Sequence, residues 1–196
     1  MIVSTFLLTI PWTARNYAVT NQFVPIHTSL GPNLIQGDAI GEHWTEKPYS
    51  TIELWRIGKH KIDSLLSGSQ HTATDPIGDR MLMGSSWSHS LSDPLFFVKR
   101  ALANFMTFWY LSESRMKSLF LILIQGPLLL CVILVSVPLW SKSPMIQPAL
   151  LLIGYYAVCH SLVFGWARFS APIIPVCLIL AAYALSKVHR GSEGKD

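Results

Sequence analysis

A nearly uncharged apolar stretch, residues 118–186, most constrains the fold of this chain. Between Lys117 and Arg168 the one formal charge is Lys142, and none follows Arg168 within the stretch. The breaks around Lys142 and Arg168 divide it into three apolar segments of about 23, 23 and 18 residues. At roughly 1.5 Å per helical residue these segments reach roughly 27–35 Å, enough to cross a hydrocarbon core of about 30 Å. A core helix of a soluble protein would carry polar residues on its outer face. The sequence therefore predicts three full transmembrane helices.

The ends of the chain flank this three-helix region, which we assign to residues 118–187. Residues 1–10 form an apolar run that is too short to span a bilayer and lacks the basic start of a signal peptide. We interpret this run as the end of a truncated membrane helix that Pro11 stops. Residues 188–196 form a polar tail. The expected fold class is an all-α polytopic membrane protein with a partial N-terminal helix.

The region between the N-terminal run and the spans, residues 11–92, is mixed and polar and contains many Gly and Pro turn signals. It predicts an irregular extracytoplasmic loop region in which residues 57–66 and 77–87 could each form a short helix. Its carboxylates, among them Asp38 and Glu42, include possible general bases, but no spacing singles one out. The catalytic residue is therefore unknown from the sequence.

Residues 93–113 predict an amphipathic helix that lies along the membrane surface and leads into the first span. Asp93 offers an N-cap, and proline follows at the first helical position. An apolar stripe then recurs at helical spacing, with Lys99, Arg100 and Asn104 off it; the stripe consists of Leu95, Val98, Leu102, Phe105 and Trp109. The alternative is an ordinary amphipathic helix that packs its stripe on the loop region.

The positive residues set the expected orientation of the spans. Short cytoplasmic loops carry Lys and Arg, which places the Lys142 turn and the tail in the cytoplasm. With three spans, the long loop then lies outside, together with Arg168. This predicts a multi-pass protein of the cell inner (plasma) membrane in which Arg15 and Arg168 share the extracytoplasmic face.

Arg15, with the Asn16 amide beside it, and Arg168 are the residues best suited to bind an anion. A guanidinium matches phosphate oxygens in a bidentate manner, so the two arginines could clamp a phosphate; the alternative is that each reaches lipid head groups on its own. The scattered histidines predict no metal site, and His160 in the second span is either a structural residue or a proton relay. We interpret the three cysteines as small apolar residues of the apolar segments. The net charge of +4 forms no basic cluster, which excludes nucleic acid as an expected partner.

Four segments together resemble bacterial family 39 glycosyltransferases, relatives of the dolichyl-phosphate-mannose protein mannosyltransferases. The matching segments are PWTARNY at 11–17, FVPI at 23–26, GPNLIQGD at 31–38 and RFSAPIIP at 168–175. They are similar to the family's PWxxRNY, FVPI, GxNLxxGN and RYxxPxxP segments in order and spacing. The resemblance covers nearly the whole chain, but only the C-terminal portion of the family.

The resemblance implies a membrane enzyme of the GT-C class that transfers a sugar from a polyprenyl-phosphate donor to an acceptor at the outer face. It adds Asn33 to Arg15, Asn16 and Arg168 as the expected substrate or lipid-phosphate site and implies no cofactor. The family's catalytic acid lies in an N-terminal portion that nothing here matches. We therefore expect a C-terminal fragment that is inactive alone and whose partners are the bilayer, the donor and the missing half. A non-catalytic membrane accessory module remains the alternative, and a transporter component is disfavoured because paired intramembrane charges are missing.

Overall fold

The chain is helical throughout the part that the computed structural model describes, which comprises residues 2–24, 29–44, 50–136, 139–140, 144, 146–165 and 167–193. The α-helices of this part are α1 (Ile2–Thr20), α2 (Leu30–His43), α3 (Thr51–Leu66), α4 (Pro76–Ser92), α5 (Pro94–Tyr110), α6 (Arg115–Cys131), α7 (Ile146–Val163) and α8 (Ile174–Glu193). A π-helical turn, Val132–Ser136, continues α6, and two 3₁₀ turns, Ala167–Phe169 and Ala171–Ile173, precede α8. Within these residues there is no strand, which confirms the all-α class.

Residues 11–92, for which the sequence predicted an irregular loop, fold largely into helices. α3 begins with a capping box formed by Ser50 and Glu53, and α4 begins at an Asp75 cap. Such caps satisfy the free N–H groups of a first helical turn. Of the Gly and Pro signals, Asp75-Pro76 marks the start of α4, whereas Gly31-Pro32, Gly37 and Gly41 lie inside α2. The two predicted short helices lie within α3 and α4.

α1 continues through Pro11 to Thr20, which corrects the prediction that Pro11 ends this helix. A proline removes one backbone hydrogen bond from a helix. The remaining hydrogen bonds on both sides of Pro11 are sufficient to keep α1 helical. The helix ends instead at Thr20, and the next residue, Asn21, adopts a left-handed conformation with φ 54° and donates its N–H to Tyr17 O at 2.8 Å. A left-handed Asn directly after a helix is a common end signal.

α2 is a largely buried helix that contacts α3, α4, α5 and α7. Two of its glycines allow the close approach: a Cβ on Gly37 would clash with the Val163 carbonyl oxygen, and a Cβ on Gly41 would lie 2.9 Å from Arg100 Cα. Small residues at such spacing let helix backbones come close together. Asp38, between the two glycines, is thereby brought against α5.

Two of the three predicted spans are long and apolar enough to cross a membrane, residues Arg115–Leu134 and Ile146–Val163. Their most apolar windows are only 17% and 22% buried, which is unlike a core helix of a soluble protein. The third predicted span differs, because the 3₁₀ turns interrupt its start and the apolar helical part, Ala167–Tyr183, is shorter. The Lys142 turn lies outside the described residues, and α8 extends to Glu193 through most of the predicted tail.

α5 has the predicted cap, and it presents most of its apolar stripe to the outside while its polar face contacts the other helices. Asp93 accepts a hydrogen bond from the Phe96 N–H at 3.0 Å. The first part of the apolar stripe points away from the protein, with Leu95 78%, Val98 60% and Leu102 52% exposed, whereas Trp109 at its end packs against the buried core. The opposite, polar face of α5 is buried. A helix with this polarity suits an apolar surrounding better than water.

Candidate functional site

The buried face of α5 carries an ion pair inside the helical bundle. Arg100 is fully buried; its Nη1 donates to Asp38 Oδ1 at 2.6 Å and to Ser86 Oγ at 2.9 Å, while Nη2 donates to the Leu162 carbonyl oxygen at 3.1 Å. A charge in such a place is stable only when paired and hydrogen-bonded. Arg100 thus links α2, α4, α5 and α7.

Two more polar residues on the same face of α5 hold the turn that follows α7. Asn104 Oδ1 accepts the Gly165 N–H at 3.2 Å, and Thr107 Oγ1 lies 3.1 Å from the Gly165 carbonyl oxygen. A Cβ on Gly165 would clash with the Asn104 carbonyl oxygen, so only glycine fits there. This turn leads directly to Arg168, and α5 therefore positions the outward arginine of the sequence prediction.

Arg168 lies at the mouth of a cavity of about 450 Å³ between the starts of α6 and α8. The Ala167 N–H donates to the Leu111 carbonyl oxygen at 3.0 Å, which ties the Arg168 turn to the start of α6. The guanidinium is exposed and lies 5.0 Å from the centre of the Phe169 ring. The prolines after Arg168 give the predicted irregular start of the last helix, seen as the two 3₁₀ turns.

The charges around this mouth are two cations and one carboxylate. Lys117 Nζ donates to Glu113 Oε2 at 2.7 Å, and this hydrogen bond is the largest cause that holds the pKa of Glu113 below its ordinary value. The charges of Lys117 and Arg168 lower it further. Glu113 therefore stays ionised at neutral pH, and the local charge of the three groups is positive.

An apolar cavity of about 590 Å³ lies next to this mouth, between α5, α6 and α7. Gly126 of α6 and Gly154 of α7 both line it, and a Cβ on either would meet open space. Gln125, which is 7% exposed, lines both this apolar cavity and the Arg168 cavity. Ser170 Oγ lies 3.4 Å from Gln125 Oε1. Gln125 is therefore shared by the linings of an apolar cavity and of a cavity that carries a cation.

The other predicted site residues lie in different places. Asn33 lines a separate cavity of about 290 Å³ with His160 and Phe169. His160 stacks on Phe169 with 4.8 Å between ring centres, as expected of a structural residue. Asn16 donates from Nδ2 to the Val24 carbonyl oxygen at 3.0 Å on α1, where Arg15 is exposed. The convergence of Arg15 with Arg168 stays a prediction.

The sequence reasoning missed Gln125 and the pairing of Arg100 with Asp38. Asp38, considered above as a possible base, is 1% exposed and bound to Arg100. Glu42, the other candidate, pairs with Lys61 at 2.6 Å. A signal for the buried face was present, because Arg100, Asn104 and Thr107 recur at helical spacing opposite the apolar stripe. In the described part of the chain, no cluster of three metal-ligating side chains occurs.

Comparison with protein-family models, with curated proteins and with solved structures yields no match for this chain. A fold does not by itself specify a function, so the function is inferred from the residues of the site.

Proposed function

We propose that this chain is part of a membrane glycosyltransferase and binds its polyprenyl-phosphate sugar donor at the extracytoplasmic face. The observation that carries the proposal is that the apolar cavity and the Arg168 cavity are neighbours that share Gln125 in their linings. A polyprenyl phosphate combines an anionic head with a long hydrocarbon tail. The proposed site offers a cation for the head and a protein-lined apolar space for the tail.

The head group is assigned to Arg168 on chemical grounds. A guanidinium forms paired, charge-assisted hydrogen bonds to phosphate oxygens, and the Gln125 amide has donors for the same group. The tail is assigned to the space beside Gly126 and Gly154, because each buried methylene contributes about 0.8 kcal/mol to binding. The resemblance to family 39 enzymes agrees with this donor class.

The proposal includes three membrane crossings, by α6, α7 and a third segment that ends with α8. The 3₁₀ turns rise about 2 Å per residue and the α-helix about 1.5 Å, so residues 167–186 reach roughly 30 Å. The hydrogen bond between the Ala167 N–H and the Leu111 carbonyl oxygen supports a position of the start of α6 and the Arg168 turn on the same side of the membrane. With the Lys142 turn in the cytoplasm, that side is extracytoplasmic, as in a multi-pass inner-membrane protein.

Thiol labelling tests this topology in a variant without native cysteines. A cysteine at Ser69, between α3 and α4, should react with a membrane-impermeant reagent added from outside. Reaction only from the cytoplasmic side would reverse the orientation. The same reaction in right-side-out and inverted vesicles provides the control.

Photo-crosslinking tests the donor site. A polyprenyl phosphate with a diazirine in its tail should label peptides of α6 and α7 around Gly126 and Gly154, and excess unmodified lipid should compete. The variant Arg168→Gln should lose most of the labelling, while Arg80→Gln, which removes an exposed arginine of α4, should keep it. Equal labelling of all three proteins would contradict the proposed head-group site.

A non-catalytic accessory module that presents the donor is the second candidate. Among the described residues that line the two cavities, Glu113 is the one carboxylate, and Lys117 binds it. Transfer requires a carboxylate that is free to deprotonate the acceptor. We therefore expect the purified chain alone to bind the donor without turning it over. Turnover by the chain alone would instead make Glu113 the first residue to replace.

A further inference from the structure

We propose that the first turns of α3 form a lipid-facing anchor whose apolar residues enter the bilayer interface and whose cations bind anionic phospholipid headgroups. The anchor consists of Ile52, Trp55, Arg56 and Lys59, together with Arg115 at the start of α6. It is distinct from the donor site and does not depend on which sugar or donor the protein uses.

The start of α3 lies level with the start of the first candidate span. The Thr51 N–H donates to the Ser112 carbonyl oxygen at 3.0 Å, three residues before α6 begins. Leu54, in the same turn of α3, lines one cavity with Leu119 and Ile122, which belong to the apolar part of α6. If α6 crosses the bilayer, this turn of α3 lies at the depth of the membrane surface.

The side chains that this turn directs away from the protein are large and apolar. Ile52 and Trp55 are each 47% exposed. Tryptophan is enriched at the boundary between hydrocarbon and water, where its ring lies among headgroups. In water the exposure of both residues would be unfavourable, whereas at this depth lipid covers them.

The charges around these two residues suit an anionic surface. Arg56 and Lys59 are exposed, and Lys59 Nζ lies 5.4 Å from the centre of the Trp55 ring. Arg115 Nη2 lies 3.9 Å from Glu53 Oε1. The hydrogen bonds from Ser50 hold the pKa of Glu53 below its ordinary value, and the charges of Arg115 and Arg56 add to this effect. The anchor thus carries three cations, of which Arg115 and Arg56 act on the one ionised carboxylate of Glu53, and the sum of these four charges is positive.

Lipid explains this combination better than a protein partner. The apolar pair and two of the cations lie in the first half of α3. The third cation, Arg115, begins α6, whose apolar part is itself mostly exposed. An interfacial helix of this composition gains both burial in the headgroup region and attraction to anionic lipid. Each cation near such a surface raises the binding constant for the anionic membrane about fivefold.

Spin labelling tests the depth of the anchor. In the full chain without native cysteines, reconstituted in phosphatidylcholine–phosphatidylglycerol nanodiscs, a label at Ile52→Cys should be more accessible to oxygen and less accessible to a water-soluble nickel complex than a label at Ser64→Cys. Ser64 is the matched control, since it is exposed on the same helix near its other end. Equal nickel accessibility at both positions would overturn the anchor. Exclusion of both oxygen and nickel from Ile52→Cys would also overturn it, because it indicates a surface covered by protein.

Lipid selectivity tests the charges. The preference of the protein for spin-labelled phosphatidylglycerol over phosphatidylcholine should fall severalfold in Arg56→Gln/Lys59→Gln and remain unchanged in Arg80→Gln. An unchanged preference in the double variant, with normal folding by circular dichroism, would remove the headgroup part of the proposal. Donor crosslinking should stay at the parent level in the double variant, which separates this proposal from the donor site.

Discussion

Arg100 and Asp38 form an ion pair in the interior of the helical bundle, 62 residues apart in the chain, with 2.6 Å between Nη1 and Oδ1. The first prediction is that Asp38→Asn destabilises the protein by about 3–5 kcal/mol, because it leaves the buried guanidinium without its counter-charge. Thermal unfolding in detergent measures the effect. The matched control is Glu42→Gln, which breaks the partly exposed pair with Lys61 and should cost less than about 1 kcal/mol. Similar costs for the two variants would show that burial does not strengthen the inner pair.

The second prediction concerns the close contact of α2 with α7. Gly37→Ala should destabilise the protein, because the added methyl group clashes with the Val163 carbonyl oxygen and the helices must move apart. Gly84→Ala is the control on an exposed helical glycine with open space around it, and it should stabilise by about 0.5–1 kcal/mol. Unfolding midpoints of both variants decide the question; a stabilising Gly37→Ala would exclude this packing.

The third prediction is that filling the apolar cavity impairs binding of long lipids only. Gly154→Leu should weaken binding of a polyprenyl phosphate about tenfold. The leucine side chain would displace two methylenes of the lipid tail from the cavity, and their loss corresponds to about 1.6 kcal/mol of binding free energy. A short-chain, water-soluble analogue with the same head should bind as it does to the parent protein. If both ligands weakened equally, the variant would be acting on the head-group site or on folding.

The fourth prediction concerns the two arginines. Arg168→Gln should weaken donor binding by about ten- to a hundred-fold, because a charge-assisted hydrogen bond contributes about 1.5–3 kcal/mol. If Arg15 meets the same phosphate, Arg15→Gln will weaken binding similarly and the double variant will lose less than the sum. Donor affinity and membrane insertion are measured together. Additive losses would assign the arginines to different groups, and normal binding by Arg168→Gln would exclude the clamp.

The fifth prediction uses the cap of α4. Backbone hydrogen bonds from Gly78 and Thr72 hold the pKa of Asp75 below its ordinary value. Its contribution to stability is therefore fully present above the ordinary pKa of about 3.9 and is lost as the pH falls through the lowered value in the folded state. The difference in unfolding midpoint between the parent and Asp75→Asn should shrink below about pH 4. A difference that is constant with pH would contradict this, and Asp63→Asn serves as the control carboxylate.

The helical class and the two candidate spans were predictable because each depends on local composition. An uncharged apolar run of span length has few alternatives to a membrane helix, and Asp93 marks the start of α5 by its chemistry alone. The helices of residues 11–92 were not predictable in this way. α2 contains three glycines, a proline and little apolar character, and its burial against α4, α5 and α7 overrides those local preferences.

The candidate site was predictable only at Arg168. Its place in a turn between apolar segments is a property of the sequence. The role of Gln125 depends on two neighbouring cavities that form only after α5, α6, α7 and α8 have packed. The pairing of Arg100 with Asp38 likewise requires knowledge of a contact across 62 residues, which no periodicity within one helix provides.

The outward apolar face of α5 has a consequence for handling the protein outside a bilayer. A detergent belt sized for two candidate spans would leave Leu95, Val98 and Leu102 in contact with water. Copies of the protein would then associate through this face, and size-exclusion chromatography would show larger species. Long-chain detergents or nanodiscs, which can cover α5 as well as α6 and α7, are therefore the media in which a single, dispersed species is expected.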